Sequence, residues 1–383
     1  MSIPKLMIGV FCVALSAGGG SWSWGQATDD NPVPNPTLAS LAGATVASPL
    51  SLDEKSKDLE PEKGAGCCSP RCTSDCCNLC PSVYGSVEAL FLKRDNQSFD
   101  QPAVITGGWP NAYDTVLSTG DLDFDWEPGL RAVAGIRLNE CTGWGLEGSY
   151  FGLFNADAAS LAVATDVGAP LTLPGGLGPA LNAFQAADQI QLDYGSELHS
   201  ADLSLVRCRD GAAGCRSVEW MAGFRYLDLS ETFGITGRSD INGLPVSGVY
   251  NVRTDNNLYG AQLGARLRRC RGRLSGEVTG KAGIYYNDAS QDQFILDFGD
   301  IEPRRDGRAS GDHTAFLGEV NLSAIYQLTG VWGLRVGYNL IWIEGVALAP
   351  DQLDFSAATD VTQLSSNGGL FLHGVNVGLE ARW

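Results

Sequence analysis

The sequence predicts an all-β fold: a closed antiparallel transmembrane β-barrel of about ten strands, or twelve if part of 96–126 or 232–248 pairs, with long extracellular loops and short periplasmic turns. Three observations predict it. The stretch Trp332 to Trp342 has two faces of different character, ten segments alternate with period two, and the connections between them run long, short, long, short.

In WGLRVGYNLIW one face reads Trp332, Leu334, Val336, Tyr338, Leu340, Trp342 and the other Gly333, Arg335, Gly337, Asn339, Ile341. At about 3.3 Å per residue and a tilt of roughly 40°, this stretch rises roughly 28 Å, close to the ~25 Å apolar band of a membrane barrel. Its tryptophans would then sit at the two lipid–water interfaces. An amphipathic strand of a soluble sandwich would share the alternation, so the stretch by itself does not decide the fold.

The chain has 383 residues and a net charge of −18, and its 48 glycines are spread through the alternating segments. The longest apolar run, Leu6 to Ala17, follows Lys5 and is too short to span a bilayer as a helix. It reads as a secretory signal peptide, residues 1–27, with cleavage after Gly25-Gln26-Ala27. Cys12, inside that run, and Cys67, far downstream, are not placed as a lipidated cysteine is. Residues 28–66 are rich in Pro, Ala, Ser and acids and contain no aromatic residue, which predicts a disordered periplasmic leader. The cysteine-rich segment 67–80 holds Cys67, Cys68, Cys72, Cys76, Cys77 and Cys80. An exported chain favours disulfides there; the C-x3-C and C-x2-C spacings leave a thiolate metal site as the alternative.

The barrel occupies 82–383. Its segments, in order, are 82–95 with Glu88 on the mixed face, 127–138 with Arg131 and Arg137, 143–154 with Glu147, 195–207 with Asp202, and 217–231 with Glu219 and Arg225. There follow 249–268 with Arg266, 273–287 with Glu277 and Lys281, 313–328 with Glu319, 332–343 with Arg335, and 370–383 with Glu380 and Arg382. Each connection 96–126, 155–194, 232–248, 288–312 and 344–369 is longer than any of 139–142, 208–216, 269–272 and 329–331. Outer-membrane barrels alternate in this way, whereas sandwiches and propellers do not require it.

Parity gives a lipid face of Val218, Trp220, Ala222, Phe224 and Tyr226 in the fifth segment and of Phe316, Gly318, Val320, Leu322, Ala324 and Tyr326 in the eighth. The last segment presents Phe371, His373, Val375, Val377, Leu379, Ala381 and Trp383. Trp220, Tyr226, Phe316, Tyr326, Trp332, Trp342 and Trp383 form the expected aromatic girdle. Like faces pair across 329–331 only if residue sums are even, which predicts a three-residue loop with Gly330 in the left-handed region. The inward charges named above are balanced, and ten strands enclose little more than side chains can fill, so a narrow lumen is expected.

The connections 96–126 and 155–194 carry Asp100, Asp114, Asp121, Asp123, Asp125, Asp157, Asp166, Asp188 and Asp193 and no Lys or Arg. They contain no calcium-binding loop pattern and read as solvated acidic loops. RRCRGR, 268–273, puts four arginines in and beside a periplasmic turn, where cell-wall or lipid anions could contact it. Without interleaved aromatics it is not a nucleic-acid site. Beyond the signal peptide all cysteines fall on the periplasmic side: Cys67 to Cys80 before the barrel, and Cys141, Cys208, Cys215 and Cys270 in short turns. Cys208 and Cys215 are expected to bridge their own turn, leaving Cys141 and Cys270 to pair with the leader or with each other.

GFRYLDLSETF (223–233), NNLYGAQLG (256–264), LRVGYNLIWIEGVALAPDQL (334–353) and FLHGVNVGLEARW (371–383) resemble the bacterial outer-membrane family beta barrel porin-7, over roughly Ser82 to Trp383. The resemblance implies location and fold but no substrate. Trp383 looks like the aromatic last residue through which barrel-insertion machinery recognises the C-terminal strand. The implied function is a porin-like or structural envelope barrel embedded in outer-membrane lipid. A surface interaction protein displaying acidic loops is the alternative. A barrel-type lipid hydrolase or acyltransferase would need an activated Ser or His. The only histidines, His199, His313 and His373, are explained as interfacial or loop residues, so no catalytic, cofactor-binding or metal residues are assigned.

Overall fold

The computed structural model of the chain describes residues 80–96, 100–108, 112–139, 142–165, 170–210, 215–297, 300, 302–361 and 363–383. The expected signal peptide and leader, Cys67 to Cys77 and Cys141 lie outside them.

Among the described residues thirteen strands form. Ten close a ring in the order β1 (Val83–Asn96), β4 (Glu127–Asn139), β5 (Trp144–Val163), β7 (Gln189–Asp210), β8 (Arg216–Ile241), β9 (Leu244–Arg271), β10 (Leu274–Leu296), β11 (Arg305–Gln327), β12 (Trp332–Val346) and β13 (Gly368–Arg382). β13 pairs back onto β1, with Tyr84 opposite Arg382 and Asp95 opposite Phe371. Every neighbouring pair in the ring is antiparallel. The ring therefore has ten strands, not twelve. The residues of 96–126 that pair, β2 (Pro102–Gly108) and β3 (Ala112–Ser118), form a separate sheet with β6 (Leu171–Thr172).

Strand alternation sets the two faces of the wall. Trp332, Val336, Trp220, Leu263 and Ile284 point outward and are 48%, 48%, 56%, 70% and 68% exposed, an apolar belt that only lipid can cover. Neighbours on the opposite parity, such as Met221, Gln262, Tyr285 and Arg335, point inward and are buried. Two lipid-face positions are covered by aromatics instead. Ala381 is buried opposite Trp332, whose ring meets Trp383 edge-on at 6.4 Å. Gly318 lies under the Trp342 indole, where an added Cβ would come within 2.3 Å of the ring.

The connection 232–248 is not a loop. β8 and β9 pair without interruption from Arg216–Arg269 to Ile241–Leu244 and turn on Asn242 (φ 56°) and Gly243 (φ 82°), the two left-handed residues of a tight hairpin. At roughly 3.3 Å per residue and a 40° tilt, the 28-residue β9 rises about 70 Å, far more than a bilayer needs. β5, β7, β10 and β11 are also long, at 20 to 23 residues, whereas β1, β4, β12 and β13 have 13 to 15. One side of the wall is consequently tall. Asp157 and Asp193, expected in loops, belong to it on β5 and β7.

The β11–β12 turn also departs from expectation. Residue sums are even, as in Gln327–Gly333, but Gly330 does not have a positive φ. Thr329 Oγ1 instead accepts from Val331 N (3.3 Å) and Trp332 N (3.0 Å), holding a wider turn.

Candidate functional site

Inward side chains fill the barrel in three tiers between the end that carries the short turns and the opposite, tall end. The tier at the turns is ionic. Arg266 Nη1 donates to Glu147 Oε2 at 2.7 Å and Glu219 Oε2 at 2.6 Å, and Arg137 Nη2 reaches Glu219 Oε1 at 3.4 Å. Tyr84 donates to Glu147 at 2.7 Å. Arg335 contacts Glu277 at 2.6 Å, Glu380 at 3.0 Å and Glu88 at 3.1 Å, while Arg382 lies 2.5 Å from Glu380. Deeper in, Arg131 (2.5 Å) and Arg225 (3.0 Å) share Glu319, and Lys281 Nζ stands 3.2 Å from Asp202. All the inward charges named from the sequence meet in this network. Buried ions are tolerated only when paired and hydrogen-bonded, and here each has an opposite charge within 4 Å.

One member was not named from the sequence. Arg268, read as part of a basic periplasmic turn, points inward beside Arg266, with Nη2 2.7 Å and Nε 2.9 Å from carboxylates of Glu380 and Glu277. Its parity with Arg266 was the available signal. Arg269, Arg271 and Arg273 are exposed. Within the tier lies a cavity of about 70 Å³.

The second tier is apolar. Leu90, Leu92, Leu227, Leu258, Leu317, Ile341 and Ile343 project from five strands into one cluster and are no more than 1% exposed. Val346 and Leu348, where β12 ends, join the same cluster, and Ala347 between them is fully buried.

The third tier begins with a buried ion pair that sequence reading passed over, although both partners lie on inward parity in its segments. Arg94 Nη2 is 2.5 Å from Glu231 Oε1 and 2.8 Å from the Tyr194 hydroxyl, and Tyr194 donates to Glu231 Oε2 at 2.9 Å. Above it the strap 346–366 crosses the barrel, held by wall side chains that bond its backbone. Asn256 Oδ1 accepts from Ala347 N (2.7 Å), and its Nδ2 donates to Ala347 O (2.8 Å). Glu231 accepts from Ala349 N, and Gln293 donates to Gln352 O. Arg305, 1% exposed, donates to the carbonyls of Asp354, Ser356 and Ala358 at 2.8 to 3.0 Å. Tyr250 lies beside it, and burial pushes its phenol up to about 12. Phe124, Phe184, Phe233, Ile235 and Leu173 pack around these groups.

Residues 96–294 match the family model described as "Putative beta barrel porin-7 (BBP7)", more than half of the chain. The chain belongs to the BBP7 family. With the closed ring, this makes it a bacterial outer-membrane β-barrel, its short turns periplasmic and its tall wall outside. No curated protein matches it. Among similar solved structures are the outer-membrane protease OmpT of Escherichia coli (10% identity, TM-score 0.43, covering 79% of this chain and 96% of that one) and a TodX deletion mutant described as a monoaromatic hydrocarbon channel (7%, 0.22, 81% and 93%). The toluene transporter TodX of P. putida gives 10% identity and a TM-score of 0.17, with 79% and 90% covered.

In the BBP7 barrel the predicted girdle residues fall in two bands. Trp220, Tyr326, Trp332 and Trp383 lie near the periplasmic rim, and Tyr226, Phe316 and Trp342 near the outer interface. Tyr259 and Tyr286 extend the outer band, standing in register beside Tyr226. His199 and His373 face outward at that level, each with Nδ1 on a tyrosine hydroxyl: Tyr150 at 3.0 Å and Tyr338 at 2.7 Å. His313 is exposed on β11.

The cysteines pair differently from expectation. Cys208 is bonded to Cys80, with a Cα separation of 6.1 Å, and not to Cys215. β7 and β8 keep ladder pairing down to Asp210–Ser217, which places Cys208 opposite Glu219. Cys215 instead continues the β8–β9 ladder, its carbonyl accepting from Cys270 N at 2.9 Å.

Proposed function

We propose that this BBP7 protein is a non-conducting envelope barrel, a structural anchor whose tall outer wall is presented to surface partners, and not an open porin or an enzyme. The observation that carries the reading is the apolar tier. Seven wall side chains and the start of the strap meet there at 0 to 1% exposure, leaving beside them a cavity of only about 10 Å³, too little for a solute path. The hydrogen bonds that fix the strap support the same reading. The leader is assigned to the periplasm, tethered to the rim through Cys80, with cell-wall contact through Arg269, Arg271 and Arg273 and insertion directed by the C-terminal strand. His199 and His373 are read as interfacial anchors, since each ring packs among aromatics at the lipid boundary. The test is planar-bilayer recording of purified barrel. No steady conductance is expected, and stable channels in the nanosiemens range would remove the proposal.

A further inference from the structure

We propose that the ionic tier of the lumen is a binding site for one small inorganic anion, held by Arg268. Arg268 is buried, its side chain 3% exposed. Nη2 donates to both oxygens of Glu380, at 3.0 and 2.7 Å, and Nε lies 2.9 Å from Glu277. Nη1 has no hydrogen-bond acceptor among the described residues. A buried guanidinium N–H left without an acceptor is costly, and a charged one more so.

Charge bookkeeping points the same way. The tier contains the acids Glu88, Glu147, Asp202, Glu219, Glu277, Glu319 and Glu380 and an equal number of bases without Arg268. Among the described residues, adding Arg268 leaves one positive charge without a side-chain counterpart. A water molecule could accept from Nη1 but would leave that charge in place; a small anion does both.

A cavity lies beside the same side chain. Arg268 lines the cavity of about 70 Å³, together with Arg382, Ser217 and Pro81 at the periplasmic rim. One ordered water needs only about 10–15 Å³, so a chloride or a phosphate fits. The apolar tier closes the other side, so the ion enters from the periplasm and returns there. The site is a blind vestibule, and its occupant is a structural counter-ion.

The decisive measurement is a crystal of the unmutated barrel grown or soaked in bromide. An anomalous peak within hydrogen-bonding reach of Arg268 Nη1 is expected. Ordered water at that point in bromide and in phosphate crystals alike would overturn the assignment. In solution, thermal unfolding of the detergent-folded barrel is compared in gluconate, chloride and phosphate at one ionic strength. A midpoint raised by chloride identifies the halide as the natural occupant, and one raised by phosphate alone identifies the oxyanion. Equal midpoints in all three remove the proposal. In Arg268→Gln the anion-dependent shift is lost. Should that variant not fold, the crystals still decide the matter.

Discussion

The ion pair between the apolar tier and the strap offers the sharpest perturbation. Glu231 takes four donors: Arg94, the Tyr194 hydroxyl, the Ala349 amide and, at 3.5 Å, the Ser196 hydroxyl. Both partners of the pair are nearly inaccessible, with side chains 3% and 0% exposed. Glu231→Ala therefore leaves a buried guanidinium without its counter-charge. Breaking such a pair typically costs about 3–5 kcal/mol. The other three donors also lose this acceptor, which by itself would cost roughly 1–3 kcal/mol each but overlaps with the first loss through local collapse. A net cost of about 4 kcal/mol is expected, measured by urea unfolding of the vesicle-inserted barrel through tryptophan fluorescence. Arg94→Met with Glu231→Leu removes both charges while keeping volume, and should fall within roughly 1–2 kcal/mol of the parent. The comparison isolates the uncompensated charge. If the double variant is as unstable as Glu231→Ala, the cost comes from lost packing or from the Ala349 tether, and the electrostatic reasoning fails.

Leu263 is 70% exposed on the lipid face, so Leu263→Arg should cost roughly 2–4 kcal/mol in a bilayer, read from the same unfolding assay. The Cys80–Cys208 bond closes a loop over a sequence separation of 128, worth at most about 5 kcal/mol in the chain-entropy model. Cys80→Ser should lower stability by up to that amount, and non-reducing peptide mapping of the parent should recover the two cysteines linked. Gly243, at φ 82°, should resist substitution: Gly243→Val is expected to cost about 1–2 kcal/mol and to speed amide exchange in the outermost β8–β9 pairs, while Ser247→Ala leaves both unchanged.

The barrel itself was legible because membrane strands are written in a two-letter alternation that the bilayer enforces. Trp332 to Trp342 could be assigned to its two faces residue by residue, and the short turns fell where connection lengths put them. What was illegible lay outside the membrane, where that enforcement stops. Past Glu231 the outward residues become Thr232, Gly234 and Thr236 opposite Arg253, Asn251 and Val249, and polar outward positions resemble a loop when only lipid-facing character is sought. Asn242-Gly243 was nevertheless a local signal, since that dipeptide favours the left-handed pair of a tight hairpin and needs no apolar face. Arg268 was missed for a related reason. Inward parity at a rim gives a charge two possible settings, solvent or lumen, and its choice depends on Glu277 and Glu380 from other strands.

The strap could not have been read from its own residues, and the structure gives the physical cause. Asn256, Gln293 and Arg305 hold it through main-chain carbonyls and amides, which every sequence carries. The specificity therefore resides in the wall. Inward positions of β9, β10 and β11 above the apolar tier carry Tyr250, Asn256, Asn287, Gln291, Gln293 and Arg305, and each bonds some part of 345–366. In a water-filled lumen such side chains would need no partner, and in an apolar core they would be excluded. A run of uncharged amides on the inward parity of long strands, beyond the girdle tyrosines, signals that main chain crosses the barrel at that height.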